Sequence, residues 1–138
     1  MHGHRVLVVE DDLEIRETLI EVLGEHGYEV VGAADGQEAL SALRAGGAQP
    51  CLILLDLMMP RMDGRAFREA QVADAALASI PVVVLSAYHD VAENARDMRA
   101  AEHLRKPVRL AELLRIMRQH CACAAGDAAR WPPRESAS

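Results

Sequence analysis

The sequence predicts an α/β domain with five parallel strands and five helices, and three observations support this. Short apolar or β-branched blocks alternate along the 138 residues with longer segments of helical periodicity. The most apolar blocks are continuous, as in parallel strands that are covered on both faces. Reactive side chains directly follow four of the five blocks, at the sheet edge where open α/β sheets bind ligands.

The five predicted strands differ in polarity, and the difference predicts their place in the sheet. Residues 6–9, 51–55 and 80–85 form continuous apolar runs, which suits strands in the middle of a parallel sheet. Residues 29–33 and 102–105 mix polar and apolar side chains. We therefore expect these two strands nearer the edges.

The predicted helices are recognised by apolar stripes or by their caps. The first ends at Gly24 and Gly27, which interrupt its period. The second begins at Asp35, which forms a capping pair with Glu38. The third and fourth are Ala-rich segments at roughly residues 65–73 and 90–100. The apolar stripes of the first, second and fifth helices are Ile15, Leu19, Val22 and Leu23; Leu40 and Leu43; and Leu110, Leu113, Leu114 and Met117.

Charge and composition exclude several classes of function. The 21 acidic side chains exceed the 15 Lys and Arg, which gives a formal net charge of −6, and this balance opposes binding to nucleic-acid phosphates. Only four residues are aromatic, so stacking platforms for bases are few: Tyr28, Phe67, Tyr88 and Trp131. No apolar run approaches the ~20 residues that span a bilayer. We expect neither direct nucleic-acid binding nor membrane insertion.

The cysteines and the C-terminal composition bear on location and domain limits. Cys51, Cys121 and Cys123 are too few and too irregularly spaced for a disulfide framework, which predicts a reducing compartment, the cytoplasm. The N-terminus lacks the build of a signal peptide. Beyond the last stripe the chain becomes rich in Ala, Gly, Pro, Ser and charge. We expect one domain at residues 1–120 and a flexible tail or linker at 121–138.

Five reactive side chains are predicted to meet at one edge of the sheet. Glu10 and Asp11 follow the first predicted strand, Asp56 the third, Ser86 the fourth and Lys106 the fifth. Parallel strands all end on the same edge, and ligand crevices of open α/β sheets lie there. This convergence is the strongest inference that spacing allows.

Three carboxylates at one edge require a cation. Two carboxylates ~5 Å apart repel by about 3 kcal/mol at an effective dielectric of ~20. Lys106 supplies one positive charge, and an incomplete shell of hard oxygen ligands suits Mg²⁺ together with a phosphoryl group. A carboxylate can attack phosphorus to form an aspartyl phosphate. Asp56 is the candidate nucleophile.

Each residue taken singly has an ordinary structural explanation. An acidic pair after a strand commonly caps a helix, and we expect Asp12 to do so. Ser86 alone would be a turn or capping residue, and Lys106 alone a solvated surface charge. Their joint placement favours a site.

Four motifs resemble the receiver domains of two-component response regulators, over roughly residues 4–120. They are VVEDD at residues 8–12, LDLMMPRMDG at 55–64, VLSA at 84–87 and Lys106-Pro107. All four occur in the family's order, and the 55–64 segment is highly specific. The resemblance implies a doubly wound, flavodoxin-like (βα)5 fold with strand order 2-1-3-4-5.

The resemblance also implies a role for each matching position. Asp56 would be the phosphoacceptor, and Lys106 and Ser86 would contact the phosphoryl oxygens. Asp11 and Asp56 would bind Mg²⁺ directly, with Met58 adding its backbone carbonyl and Glu10 acting through water. The Lys106-Pro107 bond is commonly cis in the family, whereas cis bonds are about 5–6% of X-Pro bonds in folded proteins.

The implied function is signalling by binding rather than enzymatic turnover. A sensor histidine kinase or a phosphotransfer protein would donate the phosphoryl group, and phosphorylation would shift the affinity for a downstream partner. Dimerisation on phosphorylation is left open. The switch residues would be Ser86, His103 and Pro107.

The resemblance implies an output face formed by the fourth helix, the fifth strand and the fifth helix, and the sequence departs from the family pattern mainly near this predicted output face. His103 stands where the family usually has Tyr or Phe, and either tolerated drift or pH sensitivity would account for it. The turn at residues 99–101 lacks the glycine that is frequent there. Met58 and Tyr88 are bulky at positions that influence self-dephosphorylation, which predicts a long-lived phosphorylated state.

Three alternatives differ in class or extent. The chain is the receiver fragment of a longer regulator, or it is a phosphatase with an aspartyl intermediate, or it binds a flavin. Haloacid-dehalogenase-type phosphatases carry a second acid two residues after the nucleophile, where this chain has Met58. The acids after the first strand would repel a flavin phosphate.

Overall fold

A computed structural model describes residues 5–45, 49–59, 62–87 and 91–121. Within these ranges five strands alternate with five helices, as the sequence predicts. The elements are β1 (Arg5–Val9), α1 (Leu13–Glu25), β2 (Glu29–Ala33), α2 (Gly36–Arg44), β3 (Leu52–Asp56), α3 (Gly64–Ala73), β4 (Val82–Ser86), α4 (Val91–Asp97), β5 (Glu102–Arg105) and α5 (Leu110–Cys121).

The strands form one parallel sheet in the order β2-β1-β3-β4-β5, which confirms the order that the resemblance implied. The two strands of mixed polarity, β2 and β5, lie at the edges. The central strands β3 and β4 are buried at every residue, because helices cover both faces and leave no exposed side for polar residues.

Side chains alternate along each strand and so divide the core into two layers. One layer lies beneath α2, α3 and α4, and the other beneath α1 and α5. The strand residues of the first layer include Leu7, Val9, Ile53, Leu55, Val82 and Val84. Those of the second include Val6, Val8, Leu52, Leu54, Val83 and Leu85.

Aspartates cap three of the helices. The Asp12 carboxylate accepts from the N–H of Ile15 at 3.1 Å, which confirms its predicted capping role. Asp35 accepts from the N–H of Glu38 at 2.9 Å and confirms the second predicted cap. Asp63 caps α3 in the same way, and the sequence analysis missed it.

The predicted end of the fourth helix was wrong. α4 ends at Asp97 rather than near residue 100, because Arg99 takes a left-handed conformation with φ 56°. The N–H groups of Arg99 and Ala100 bond back to the carbonyls of Arg96 and Ala95, which is the Schellman arrangement that usually has glycine at the left-handed position.

Two further boundaries differ from expectation. β3 and β4 extend through Asp56 and Ser86, so both residues end their strands instead of following them. The apolar stripe of α5 is also shifted: Leu110 is 46% exposed, whereas Ile116 is fully buried. The helix packs on the sheet through a face that is rotated from the predicted one.

The cysteine count and spacing predicted no disulfide framework, and they did not reveal the one disulfide among the described residues. A disulfide joins Cys51 to Cys121 across 70 residues, with Cα atoms 5.4 Å apart. Cys51 directly precedes β3, and Cys121 ends the helix that packs over that face of the sheet. The fold alone brings the two together, so their spacing in the sequence carried no signal. Cys123 and the predicted tail beyond it lie outside the described residues.

Within the described ranges, no helix combines the length and the apolar character needed to cross a bilayer.

Gly64 begins α3 where the helix approaches the end of β3. A Cβ there would lie 2.8 Å from the Asp56 carbonyl oxygen and 2.9 Å from Leu57 Cα. Both are backbone atoms that cannot move aside easily. We expect Gly64→Ala to lower the free energy of unfolding by about 1–3 kcal/mol in urea titrations.

Gly24 is the matched control for this substitution. It lies inside α1, and a Cβ there meets nothing within 4 Å. Gly24→Ala should raise stability by about 0.5–1 kcal/mol through better helix propensity. Equal effects of the two substitutions would contradict the close approach at Gly64.

Candidate functional site

The carboxyl edge of the sheet brings together the acids that the sequence singled out. One carboxylate oxygen from each of Glu10, Asp11 and Asp56 lies within 4.8 Å of the others. Lys106 Nζ lies 2.8 Å from Glu10 Oε1 and 3.5 Å from Asp56 Oδ1. The four side chains come from the ends of three different strands, as predicted.

Ser86 lies at the same edge. It is the buried last residue of β4, in register with Arg105 of β5. Its carbonyl accepts from the N–H of Lys106 at 2.9 Å. This hydrogen bond therefore holds Ser86 beside the backbone of Lys106, whose side chain reaches Asp56.

Backbone hydrogen bonds hold Asp56 in place. The residue is 3% exposed, and the N–H of Leu57 bonds to the carbonyl of Leu85 at 3.1 Å. The N–H of Met58 donates to Asp56 Oδ1 at 3.3 Å, so one carboxylate oxygen is partly satisfied by its own loop. The Met58 side chain itself is 59% exposed.

Glu10 is fully buried yet well supported. Its Oε2 accepts from the N–H of Asp12 at 3.1 Å, and its carbonyl accepts from Arg16 Nη1 at 2.8 Å. Arg16 ties the first turn of α1 to the end of β1. Sequence reasoning gave Arg16 no role at the site, because an arginine on a helix is most often a surface charge.

The electrostatics of the cluster favour a proton or a cation on Asp56. Burial raises the Asp56 pKa to about 7, with the charge of Glu10 adding to the rise and Lys106 opposing it. Burial acts to lower the Lys106 pKa, but the hydrogen bond and charge of Glu10 and the charge of Asp56 outweigh it, and the pKa is raised. Lys106 is therefore charged at neutral pH.

The donor set fits a hard divalent cation. Three carboxylates with converging oxygens and one lysine leave an excess of negative charge. Carboxylate oxygens are the ligands that Mg²⁺ takes in proteins, usually one or two with water completing the shell. Asp11, which is exposed, leaves one side of the cluster open to solvent.

The predicted switch residues fall on two strands and a loop. The Lys106-Pro107 bond is cis, as the resemblance implied. His103 is exposed on β5, in register with Val84, and the alternation of the strand places it on the α4 side of the sheet, opposite Leu104. Tyr88 lies outside the described residues.

A parallel sheet in the order β2-β1-β3-β4-β5 with a cluster of acids at its carboxyl edge is typical of receiver domains. In these domains a central strand ends in an acidic residue. The chain belongs to the response regulator receiver domain family, whose model matches residues 6–118. The domain is a signalling module of two-component systems.

Three known proteins illustrate the similarity. The transcriptional regulatory protein PdtaR of Mycobacterium tuberculosis is 42% identical over 113 residues, which cover 80% of this chain and 53% of PdtaR. The Vibrio cholerae chemotaxis protein CheY4 has a TM-score of 0.77 and 29% identity, over 86% of this chain and 99% of CheY4. The phosphorylated cyanobacterial phytochrome response regulator RcpA has a TM-score of 0.67 and 31% identity, over 86% of this chain and 91% of RcpA. The chain spans about half the length of the curated relatives it matches.

The raised Asp56 pKa predicts a pH-dependent gain in stability for Asp56→Asn. In the folded state the carboxyl ionises near pH 7, against 3.8 as its ordinary value, so its ionisation destabilises the fold. The resulting loss of folding stability is complete above pH 7 and diminishes as the pH falls from 7 to 4. Without Mg²⁺, Asp56→Asn should be more stable by up to about 4 kcal/mol at pH 8 and by much less at pH 4.

Urea unfolding of both proteins at several pH values measures this difference. Millimolar Mg²⁺ should narrow the gap at pH 8, because the cation stabilises the ionised wild-type cluster. A gap that is constant from pH 4 to pH 8 would refute the assigned ionisation.

Proposed function

We propose that this domain accepts a phosphoryl group on Asp56, with Mg²⁺ present, from the phosphohistidine of a sensor histidine kinase or phosphotransfer protein. The observation that carries the proposal is the position of Asp56, a buried carboxylate that Lys106 and two further acids flank at the sheet edge. The domain then changes its affinity for a downstream protein. Its output is binding, with slow loss of its own phosphoryl group at most.

The transfer needs few protein groups. An Asp56 carboxylate oxygen forms a bond to phosphorus while the bond from phosphorus to the histidine nitrogen breaks, and the histidine retains that electron pair. Lys106 Nζ, at 3.5 Å from Asp56 Oδ1, offsets charge on the transferred oxygens. Ser86, at the end of β4, contacts them.

The metal-binding role falls to Asp11, Asp56 and the Met58 carbonyl, with Glu10 acting through water. Mg²⁺ supplies neutralisation of the charge that gathers on the phosphoryl oxygens. Glu10 is held by Lys106 and by the Asp12 N–H, which suits an indirect, water-mediated role at the ion. The Asp12 carboxylate caps α1, and the residue contributes to the site through its backbone N–H, which holds Glu10.

The readout passes through the switch residues Ser86, His103 and Pro107. The N–H of Lys106 bonds to the Ser86 carbonyl, so a shift at the end of β4 is felt at the start of the loop that contains Pro107. His103 is exposed on the edge strand, and tolerated drift accounts for it better than a dedicated pH response does.

The limits of the domain and its setting are part of the proposal. We assign residues 1–120 to the receiver and 121–138 to a tail or linker, in a cytoplasmic protein. Because the curated relatives are about twice as long as the matched region, the chain fits a receiver fragment of a longer regulator as well as a stand-alone receiver. Dimerisation on phosphorylation is compatible with either. A hydrolase is disfavoured, since Met58 stands where an acid would be needed.

Intact-mass measurement tests the phosphoacceptor. Incubation with Mg²⁺ and acetyl phosphate should add about 80 Da to the wild type, the mass of one phosphoryl group. Asp56→Asn should add nothing, because an amide is no nucleophile here. Asp12→Asn, which keeps a helix-capping side chain, should be modified like the wild type. Modification of Asp56→Asn at the wild-type rate would overturn the assignment.

The lifetime of the phosphorylated protein should be long. Met58 presents an exposed apolar side chain beside Asp56 and cannot orient an attacking water by hydrogen bonding. Met58→Asn should shorten the half-life by about ten-fold, measured by the decay of the mass adduct, and Met58→Leu should leave it unchanged. A wild-type half-life of seconds would contradict this prediction.

A further inference from the structure

We propose that the Cys51–Cys121 disulfide is a reversible redox site, which a dithiol reductant opens from the Cys51 side to release the end of α5 from the sheet. The proposal concerns the opposite end of the domain from Asp56. It rests on the proposed function only where the cytoplasmic location enters the argument.

The bond joins a rigid part of the fold to the end of the described chain. Cys51 directly precedes β3, which is hydrogen-bonded to a neighbouring strand on each side. Its N–H also bonds to the Arg5 carbonyl at 2.8 Å. Cys121 is the last residue of α5. The disulfide therefore fastens the end of α5 to the start of β3.

The two sulfurs differ in accessibility. Cys121 is fully buried against the sheet. Cys51 is half-buried and lines an open cavity of about 510 Å³, together with Gln49, Ser79 and His120. Of the two cysteines, Cys51 is therefore the one that faces an open cavity from which an attacking thiolate can approach, whereas Cys121 is enclosed.

The exchange balances as an ordinary dithiol reaction. A thiolate of the reductant bonds to Cys51 Sγ as the disulfide breaks, and Cys121 leaves as a thiolate that takes up a proton. The second thiol of the reductant then attacks the mixed disulfide and releases Cys51. The two cysteines gain two electrons and two protons, and the reductant becomes a disulfide.

A disulfide in a cytoplasmic protein is expected to respond to redox conditions. Such bonds are rare in reducing compartments, and those found there in mesophiles are usually transient or redox-sensing.

Opening the bond should loosen the last turn of α5 without undocking the helix. Leu113, Ile116 and Met117 remain buried against the sheet, and they hold the earlier turns. In the final turn, His120 Nε2 lies 3.9 Å from Glu102 Oε2, at ion-pair distance, and the covalent bond at Cys121 is the strongest contact that the described residues show between this turn and the sheet. We therefore expect the loss of order to be confined to the final turn of α5.

The redox site and the phosphorylation site lie at opposite ends of one strand. Cys51 precedes β3 and Asp56 ends it, so five strand steps, or about 16 Å, separate them. β3 is buried throughout. Reduction should thus act on the end of α5 and leave the acidic cluster intact.

Thiol counting on the native full chain is the first test. Alkylation with iodoacetamide, read by intact mass, should label one cysteine after oxidised dithiothreitol and three after reduced dithiothreitol. Cys123→Ser should give none and two. Three labelled cysteines under both conditions, or one under both, would overturn the proposal. A Cys51–Cys123 bond in the oxidised wild type, located by peptide mapping, would do the same.

Hydrogen exchange locates the consequence. Amide exchange at residues 118–121 should speed up by about ten-fold on reduction, while exchange in β3 stays unchanged. The thermal midpoint should fall by about 10 °C. Cys51→Ser should resemble the reduced wild type and show no redox response, and Cys123→Ser should respond as the wild type does. Unchanged exchange at the end of α5 would refute the release.

Phosphorylation by acetyl phosphate separates this proposal from the proposed function. The rates in oxidised and reduced protein should agree within about two-fold, because the acidic cluster does not depend on the disulfide. Absence of modification in both states would count against the phosphoacceptor alone. A ten-fold difference between the states would contradict the independence of the two ends of β3.

Discussion

The mutual repulsion of three carboxylates at one sheet edge is the constraint on which the rest of this structure depends. Glu10 is fully buried and Asp56 nearly so, and Lys106 supplies a single compensating charge. A flexible edge would relax by separating the acids or exposing them to water. The sheet prevents this because β1 and β3 are hydrogen-bonded neighbours, which fixes the spacing of the residues at their ends.

Contacts beyond the sheet extend this rigidity to the loops around the site. The N–H of Gly64 bonds to the Leu57 carbonyl, and the N–H of Gly36 bonds to the Met62 carbonyl, so the starts of α2 and α3 are tied to the loop after Asp56. From α3, the Arg68 guanidinium donates to the carbonyls of Met98 and Arg99 at the end of α4. A continuous set of hydrogen bonds thus links the Asp56 loop to the helix on the predicted output face.

Local and periodic signals in the sequence predicted the strands, their central or edge positions, and the caps at Asp12 and Asp35, because each depends on residues close in sequence or on the burial of a whole strand. The features it missed depend on three-dimensional context. The end of α4 requires a residue in the left-handed conformation, and Arg99 takes this conformation while the Arg68 guanidinium donates to its carbonyl. A glycine at this position would have made the helix end predictable from the sequence. The Cys51–Cys121 pair and the supporting role of Arg16 arise only once helices pack on the sheet.

The groups at the two ends of β3 have opposite effects on folding stability. A rise of the Asp56 pKa from 3.8 to about 7 corresponds to about 4 kcal/mol of destabilisation when the carboxyl is ionised. A disulfide across 70 residues stabilises by roughly 4 kcal/mol through the loss of unfolded-chain entropy. The stabilisation by the disulfide is therefore of the same order as the destabilisation by the ionised Asp56 carboxyl, and it acts in the opposite direction. Since both groups flank the same buried strand, a cation at one end and a disulfide at the other are two independent ways to stabilise one fold.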